Sequence, residues 1–274
     1  MKLRRKLLSP VHILLSKSRI ITWLAAKIRN QCDLVIRQRF GANNMDPQQN
    51  GEYLVLETVL PHCSVFFDIG ANKGEWTNFI LENKKDNSLK CYLFEPGLTA
   101  FGYLQQRFKN NNTIELKNSA VSNVPGLLDF YEEENAGGMS SAVKGWANNP
   151  IKLIQVACTT VDEEIDSKKI AFLDFMKIDV EGFDLKVIEG ACQSLADQKI
   201  GILQFEYNSG WLNTGSSLSI AYQILKTNGY EIYLIKHKGL FLYDIDTYGD
   251  FYTFSNFLAV SSKCHSLIKN LIRN

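Results

Sequence analysis

This 274-residue chain contains no disulfide or metal-ligand pattern. Its six cysteines (Cys32, Cys63, Cys91, Cys158, Cys192 and Cys264) include no C-x-x-C pair, and none of the four histidines stands at a metal-ligand spacing from them. Several lie in apolar runs, as Cys91 does in KCYLFEP, so they read as small buried hydrophobes in a reducing, cytoplasmic setting. No run approaches the ~18 apolar residues of a membrane span. MKLRRK resembles the basic start of a secretion signal, but Ser9, Pro10 and His12 interrupt the apolar stretch after it, and no small-x-small cleavage site appears. Internal repeats and low-complexity tracts are missing too. The remaining composition, 45% hydrophobic and 22% charged, suits one substantial domain plus an extension.

The formal net charge of +1 hides an asymmetry. Residues 1–40 hold ten Lys or Arg against one acid, Asp33, so they carry +9 and the other 234 residues carry −8. A nucleic-acid protein spreads its basic groups over the folded body, so no nucleic-acid partner is expected. Within the basic segment, Ile20, Leu24, Ile28, Cys32 and Val35 recur at helical spacing, with Arg19, Arg29, Asp33 and Arg37 elsewhere. Residues 1–50 therefore read as a basic amphipathic helical extension. Three partners suit it: an anionic membrane surface met peripherally, its own domain, or a second subunit in a homo-oligomer.

From residue 51 strands and helices alternate, which indicates an α/β sheet with helices on both faces. Helices are expected at 51–60, 75–85, 99–109, 184–197 and 217–229. Strands are expected at 64–70, 90–96, 113–122, 126–134, 151–161, 171–182 and 200–208, with YEIYLIKH and FSNFLAVS closing the sheet. Residues 51–262 form this domain, and 263–274 read as a C-terminal tail. In such sheets ligands bind beyond the carboxyl ends of the strands.

The first strand end reads DIGANKG. Gly70 and Gly74 permit positive φ and close backbone approach, and a helix comes next. Glu95 ends the next strand, placed to accept both hydroxyls of a ribose. Asn72 stands where G-x-G-x-x-G would have its middle glycine, which disfavours a pyrophosphate, and no G-K-[ST] is present. Asp68 would repel phosphate and suits a cationic group. S-adenosylmethionine fits: an adenosine without phosphates, and an ammonium beside a sulfonium.

DIGANKGEW, FEP, NSAVS, GGMSS, TTVDE and FMKIDVEG…VIEGA, in this order and spacing, resemble the FkbM-type methyltransferases over residues 52–260. The resemblance implies a Rossmann-like class I methyltransferase fold: a seven-stranded, mostly parallel sheet with one reversed strand. It implies S-adenosylmethionine as methyl donor and mostly hydroxyl oxygens as acceptors. Carried across, Asp68, Gly70, Asn72 and Gly74 surround the methionine part, Glu95 holds the ribose, and Ser119 and Ala120 border the adenine.

A hydroxyl acceptor must lose a proton, so a base or metal is expected nearby. Asp179 and Glu181 share a face if the backbone stays extended, with Asp179 also bordering the donor, and Glu206 and Asn208 end the next strand. Converging carboxylates can raise one pKa to make a base. Asp179 and Glu206 also suit Mg²⁺, which the sequence does not require. Glu181 has a second reading, as a carboxylate at a helix N-terminus. The loop 135–149 reads as a binding loop, with Ser140 and Ser141 as contacts to the acceptor or the cofactor, and Asn208 is a further candidate contact to the acceptor. Trp146, Tyr207 and Trp211 are candidates to stack on a sugar or to pack in the core.

The expected activity is O-methylation of a sugar, glycan or natural-product hydroxyl. A peptide or small-molecule carboxylate is the alternative acceptor. Weaker rivals are an NAD-dependent oxidoreductase and an inactive cofactor-binding subunit.

Overall fold

The computed structural model describes residues 10–41, 44–86, 88–134, 137–146 and 150–273. The chain divides into two units, Met1–Gly41 and Ala42–Asn274. In the first, residues 10–16 are helical and a longer helix spans Arg19–Phe40, capped by the Ser18 hydroxyl accepting from the Ile21 N–H. No residue of that long helix is buried.

The second unit is built on a nine-stranded sheet. Its strands are β1 (Val65–Ile69), β2 (Lys90–Phe94), β3 (Ile114–Lys117), β7 (Leu173–Ile178), β8 (Ile200–Tyr207), β9 (Tyr230–Lys236), β10 (Gly239–Leu242), β11 (Ser255–Ser261) and β12 (Ile272–Arg273). They run in the order β12-β10-β9-β11-β8-β7-β1-β2-β3. Strands β3, β2, β1, β7 and β8 are parallel, whereas β11 runs antiparallel to both β8 and β9. The seven strands from β3 to β9 thus have one reversed member, as expected, and β10 and β12 extend the edge. A smaller sheet holds β4 (Ala120–Val121), β6 (Pro150–Thr159) and β5 (Gly126–Glu133) in that order.

Both faces of the main sheet are covered. Every residue of β8, from Ile200 to Tyr207, is buried, which explains why its apolar residues do not alternate with exposed ones; its two polar residues, Gln204 and Glu206, are buried as well. Phe66 of β1 and Phe175 of β7 stack beside each other, with Trp76 from the helix after β1 against both. Asp174 accepts the Ser64 and Val65 N–H groups at 2.8 and 2.9 Å, fixing where β1 enters the sheet. Strand order reverses between β1 and β7, so the crevice beyond their carboxyl ends is where a ligand is expected.

Four expectations are corrected. The strand expected at 113–122 is two strands in different sheets. The Asn118 side chain donates to the carbonyls of Glu95 and Pro96, at 2.8 and 3.1 Å, and bends the chain out of the main sheet. The helix expected at 184–197 is two, Asp184–Glu189 and Cys192–Ala196. Gly190 lies between them, packed so closely on the Ser122 carbonyl that a Cβ would sit 2.0 Å away, and Asp162 accepts the Gln193 and Ser194 N–H groups that start the second. Residues expected as a tail pack in: Ile268 and Leu271 are buried, and β12 pairs with β10. The extension ends at Gly41 rather than residue 50, because residues 47–50 belong to the body.

A buried polar network accounts for that last boundary. The Glu52 carboxylate accepts from Asn50 Nδ2 (2.5 Å), Asn256 Nδ2 (2.8 Å) and Gln204 Nε2 (2.7 Å), tying the helix Glu52–Val59 to β8 and β11. All four side chains are buried. Glu52→Ala strands three amide donors and is expected to cost about 3 kcal/mol or more. Chemical denaturation measures this, and a loss below about 1 kcal/mol would show the network to be dispensable.

Candidate active site

A cleft of about 450 Å³ opens beyond the carboxyl ends of β1, β2 and β7. Asp68, Gly70, Asn72, Glu95, Ser119, Ala120, Ser140, Asp179, Glu181 and Glu206 all line it. Gly74, Ser141 and Asn208 do not. A Cβ on Gly74 would meet Phe108 and Leu104, so this glycine serves the turn (φ 76°) and the packing behind it.

The turn after β1 is left-handed at Gly70 (φ 82°), Asn72 (φ 47°) and Gly74. At Gly70 a side chain is impossible for a second reason: its Cβ would lie 1.9 Å from the Asp179 carbonyl, where β1 and β7 end side by side. Asn72 presents its N–H to Glu95 Oε2 at 2.8 Å, while Gly97 donates to Oε1 at 2.8 Å. The Glu95 carboxylate is thereby oriented but buried, and burial pushes its pKa up to about 7 against the two N–H bonds. Asp68 accepts from Thr77 Oγ1 at 2.6 Å, and burial raises its pKa although the Lys177 charge opposes this.

Across the switch point three carboxylates converge. One oxygen from each of Asp179, Glu181 and Glu206 lies within 4.8 Å of the others. They meet differently from the extended geometry expected: Glu181 is left-handed (φ 53°), as is Gly182 after it (φ 92°). A non-glycine residue held there is strained, and the loop 137–146 holds it. Ser141 Oγ donates to the Glu181 carbonyl at 2.7 Å, and Trp146 Nε1 donates to Glu181 Oε2 at 2.9 Å. Burial, then the Asp179 charge, lifts the Glu181 pKa to about 8. Glu206 is raised well above its usual range by burial and by the same neighbours, with Asn208 Nδ2 donating to Oε1 at 2.5 Å.

Ser141 is thus a clamp on the backbone of Glu181, wholly buried, and Asn208 caps the turn after β8 through the Gly210 N–H while orienting Glu206. Ser140 Oγ, beside the cleft, accepts from the Glu133 N–H and donates to the Gly137 carbonyl. Residues 135–136 and 147–149 of the expected binding loop lie outside the described residues. Tyr207 and Trp211 are core residues with no exposed surface.

Residues 68–232, more than half the chain, match the profile of the methyltransferase FkbM domain. The chain belongs to the methyltransferase FkbM domain family. Members of this family are S-adenosylmethionine-dependent methyltransferases. Among solved structures, methyltransferase FkbM from Methylobacillus flagellatus KT is 17% identical with a TM-score of 0.47, covering 86% of this chain and 60% of its own. This chain therefore spans less than two thirds of that relative. Precorrin-6y C5,15-methyltransferase from Geobacter metallireducens is 13% identical (TM-score 0.40; 77% of this chain, 88% of that one). Aeropyrum pernix fibrillarin with bound S-adenosyl-L-methionine is 12% identical (TM-score 0.38; 83% and 74%). A comparison with curated proteins returned no match.

The cleft of this FkbM-family chain suits the family's methyl donor. Asp68 Oδ1, Asn72 Oδ1, Trp76 Nε1 and Ser119 Oγ are buried without a hydrogen-bond partner, and all four residues line it. Buried polar atoms are normally paired, so these mark where a ligand with both donors and acceptors completes the site. Two cleft residues escaped the reading of the sequence. Lys177, buried, donates from Nζ to Asp179 Oδ2 at 2.7 Å; burial lowers its pKa, but the charges of Asp179, Asp68 and Glu52 outweigh that and raise it. Its signal was a lysine inside the apolar run FMKID. Glu52 left no signal, since only tertiary contacts bring it there.

Glu95 and Glu181 hold protons in the folded chain that the unfolded chain releases at about pH 4.5. Stability of the ligand-free protein therefore falls as pH rises from about 4.5 through 7 for Glu95 and through 8 for Glu181. Thermal melts should show Tm dropping across this window by about 2–4 °C per kcal/mol lost, with a shallower slope in Glu95→Gln. An unchanged slope in that variant would contradict the assignment.

Proposed function

We propose that this chain transfers a methyl group from S-adenosylmethionine to a hydroxyl of a sugar, glycan or natural product. The observation that carries the reading is the convergence of Asp179, Glu181 and Glu206, with Glu181 raised to about 8. A general base works best when its pKa lies near the working pH.

When bound, S-adenosylmethionine supplies an electrophilic methyl on a sulfonium. Asp68 and Asn72 would hold its methionine end, Glu95 its ribose, and Ser119 and Ala120 its adenine. Gly70 shapes the turn, and Asp179 borders the donor. The chain's own contribution is positioning and proton transfer. Asp179 is engaged by Lys177, which leaves Glu181 and Glu206 to take the acceptor's proton. Trp146 and Asn208 fix the direction of those two carboxylates, and Ser140 lies where it can meet the acceptor. Base catalysis by this cluster requires no Mg²⁺, because Lys177 already supplies a counter-charge.

A carboxylate acceptor fits less well, since it would have to enter among three acids. All six cysteines are free thiols, four of them buried, which supports a cytoplasmic setting. Among the described residues no helix is long and apolar enough to cross a membrane.

A screen of sugars, natural-product alcohols and peptides with labelled donor tests the reading. An alcohol should be methylated over multiple turnovers. Glu181→Gln should slow that turnover by about 10²–10⁴-fold while leaving donor affinity unchanged. Methylation of carboxylates alone, or full activity in Glu181→Gln, would overturn it.

A further inference from the structure

The helix Arg19–Phe40 carries an exposed apolar face. Ile20, Leu24, Ile28 and Val35 are 72%, 46%, 64% and 69% exposed. At 3.6 residues per turn these four, with Ile21 and Cys32, fall within an arc of about 120° that only Gln31 and the two residues Gln38 and Arg39 of the last turn interrupt. Arg19, Arg29, Asp33 and Arg37 lie opposite. About 60° beyond the Ile20 side of the arc, past Lys27, Trp23 is exposed, with the Lys27 ammonium 5.6 Å from its ring centroid. Residues 10–16, also helical, expose Val11, Ile13, Leu14 and Leu15 in addition.

Exposed apolar surface on this scale marks an interaction site. We infer that the helix Arg19–Phe40 lies on an anionic lipid surface, with its apolar arc among the acyl chains and its arginines at the headgroups. Three features select this occupant. The helix holds five cations and one acid, so it bears +4, and residues 1–40 bear +9. Anionic headgroups complement that charge, whereas a second copy of the helix would repel it. The apolar arc is wider than the two-in-seven seam through which helices pair, as a continuous apolar medium requires. An exposed tryptophan flanking the apolar arc, with a cation on its ring, suits the boundary between chains and headgroups. The helix is too polar to span the bilayer, so it lies in the interface.

Flotation of the full chain with vesicles tests this. Binding is expected to phosphatidylcholine vesicles containing about 30% phosphatidylglycerol, and not to pure phosphatidylcholine. Replacing Arg19, Arg29 and Arg37 together by Gln should weaken binding about a hundredfold, at roughly a factor of five per cation. Ile28→Asp should abolish it. Thermal melts of the body should stay unchanged in both variants, since no residue of the helix is buried. Absence of vesicle binding, binding indifferent to these substitutions, a loss of stability in the body, or a dimer by light scattering that Ile28→Asp dissolves would each overturn the inference.

Discussion

The site hangs on one buried charge, the ammonium of Lys177. It stands in β7, hydrogen-bonded to Asp179, with Asp68 of β1 and Glu52 of the preceding helix close enough to raise its pKa. A buried ion survives only if it is paired and hydrogen-bonded, and here the pairing runs both ways. Lys177 offsets acids contributed by three separate segments, and they keep it charged. It also sets Asp179 apart from Glu181 and Glu206. Asp179 is hydrogen-bonded to a cation, while the other two are desolvated and their carboxylates accept from neutral N–H donors of Trp146 and Asn208, with the Lys177 charge acting on Glu181 only from a distance. Similar side chains a few ångströms apart are thus prepared for different work.

The second constraint is backbone strain at Glu181. A left-handed glutamate is costly in isolation, and its conformation is fixed by contacts from a loop about forty residues earlier in the chain. That loop therefore does more than cover the cleft. Its anchoring through Ser141 and Trp146 couples the shape of the acceptor side to the orientation of the proposed base. Movement of the loop would release both together.

Much of the geometry of the proposed donor side was legible in the sequence because it is local. Asp68, Gly70, Asn72 and Glu95 lie within one strand–turn–helix–strand unit and line one cleft, so spacing along the chain predicts spacing in the fold. The alternation of strands and helices was legible for the same reason, and the reversed strand through the family resemblance. Features that depend on distant contacts were not. Ser141, read as a contact to the acceptor or the cofactor, is a buried clamp, because its partner lies forty residues on. Gly74 faces Phe108 rather than the cleft. The break between β3 and β4 depends on Asn118 reaching back to the carbonyls of Glu95 and Pro96, and the pairing of β12 with β10 depends on two residues at the far end of the chain. Tyr207 and Trp211 resolve into the core because the turn after β8 folds inward.

The central claim is that the cleft at the ends of β1 and β2 is built for an adenosine-bearing methyl donor with no phosphate. Calorimetric titration of the intact chain with S-adenosylmethionine and, separately, NAD⁺ tests it directly. The account predicts binding of S-adenosylmethionine, weakened about tenfold or more by Glu95→Ala through the loss of the carboxyl group that would hydrogen-bond the ribose, and no binding of NAD⁺. Binding of NAD⁺ alone, or S-adenosylmethionine affinity indifferent to Glu95→Ala, would contradict it.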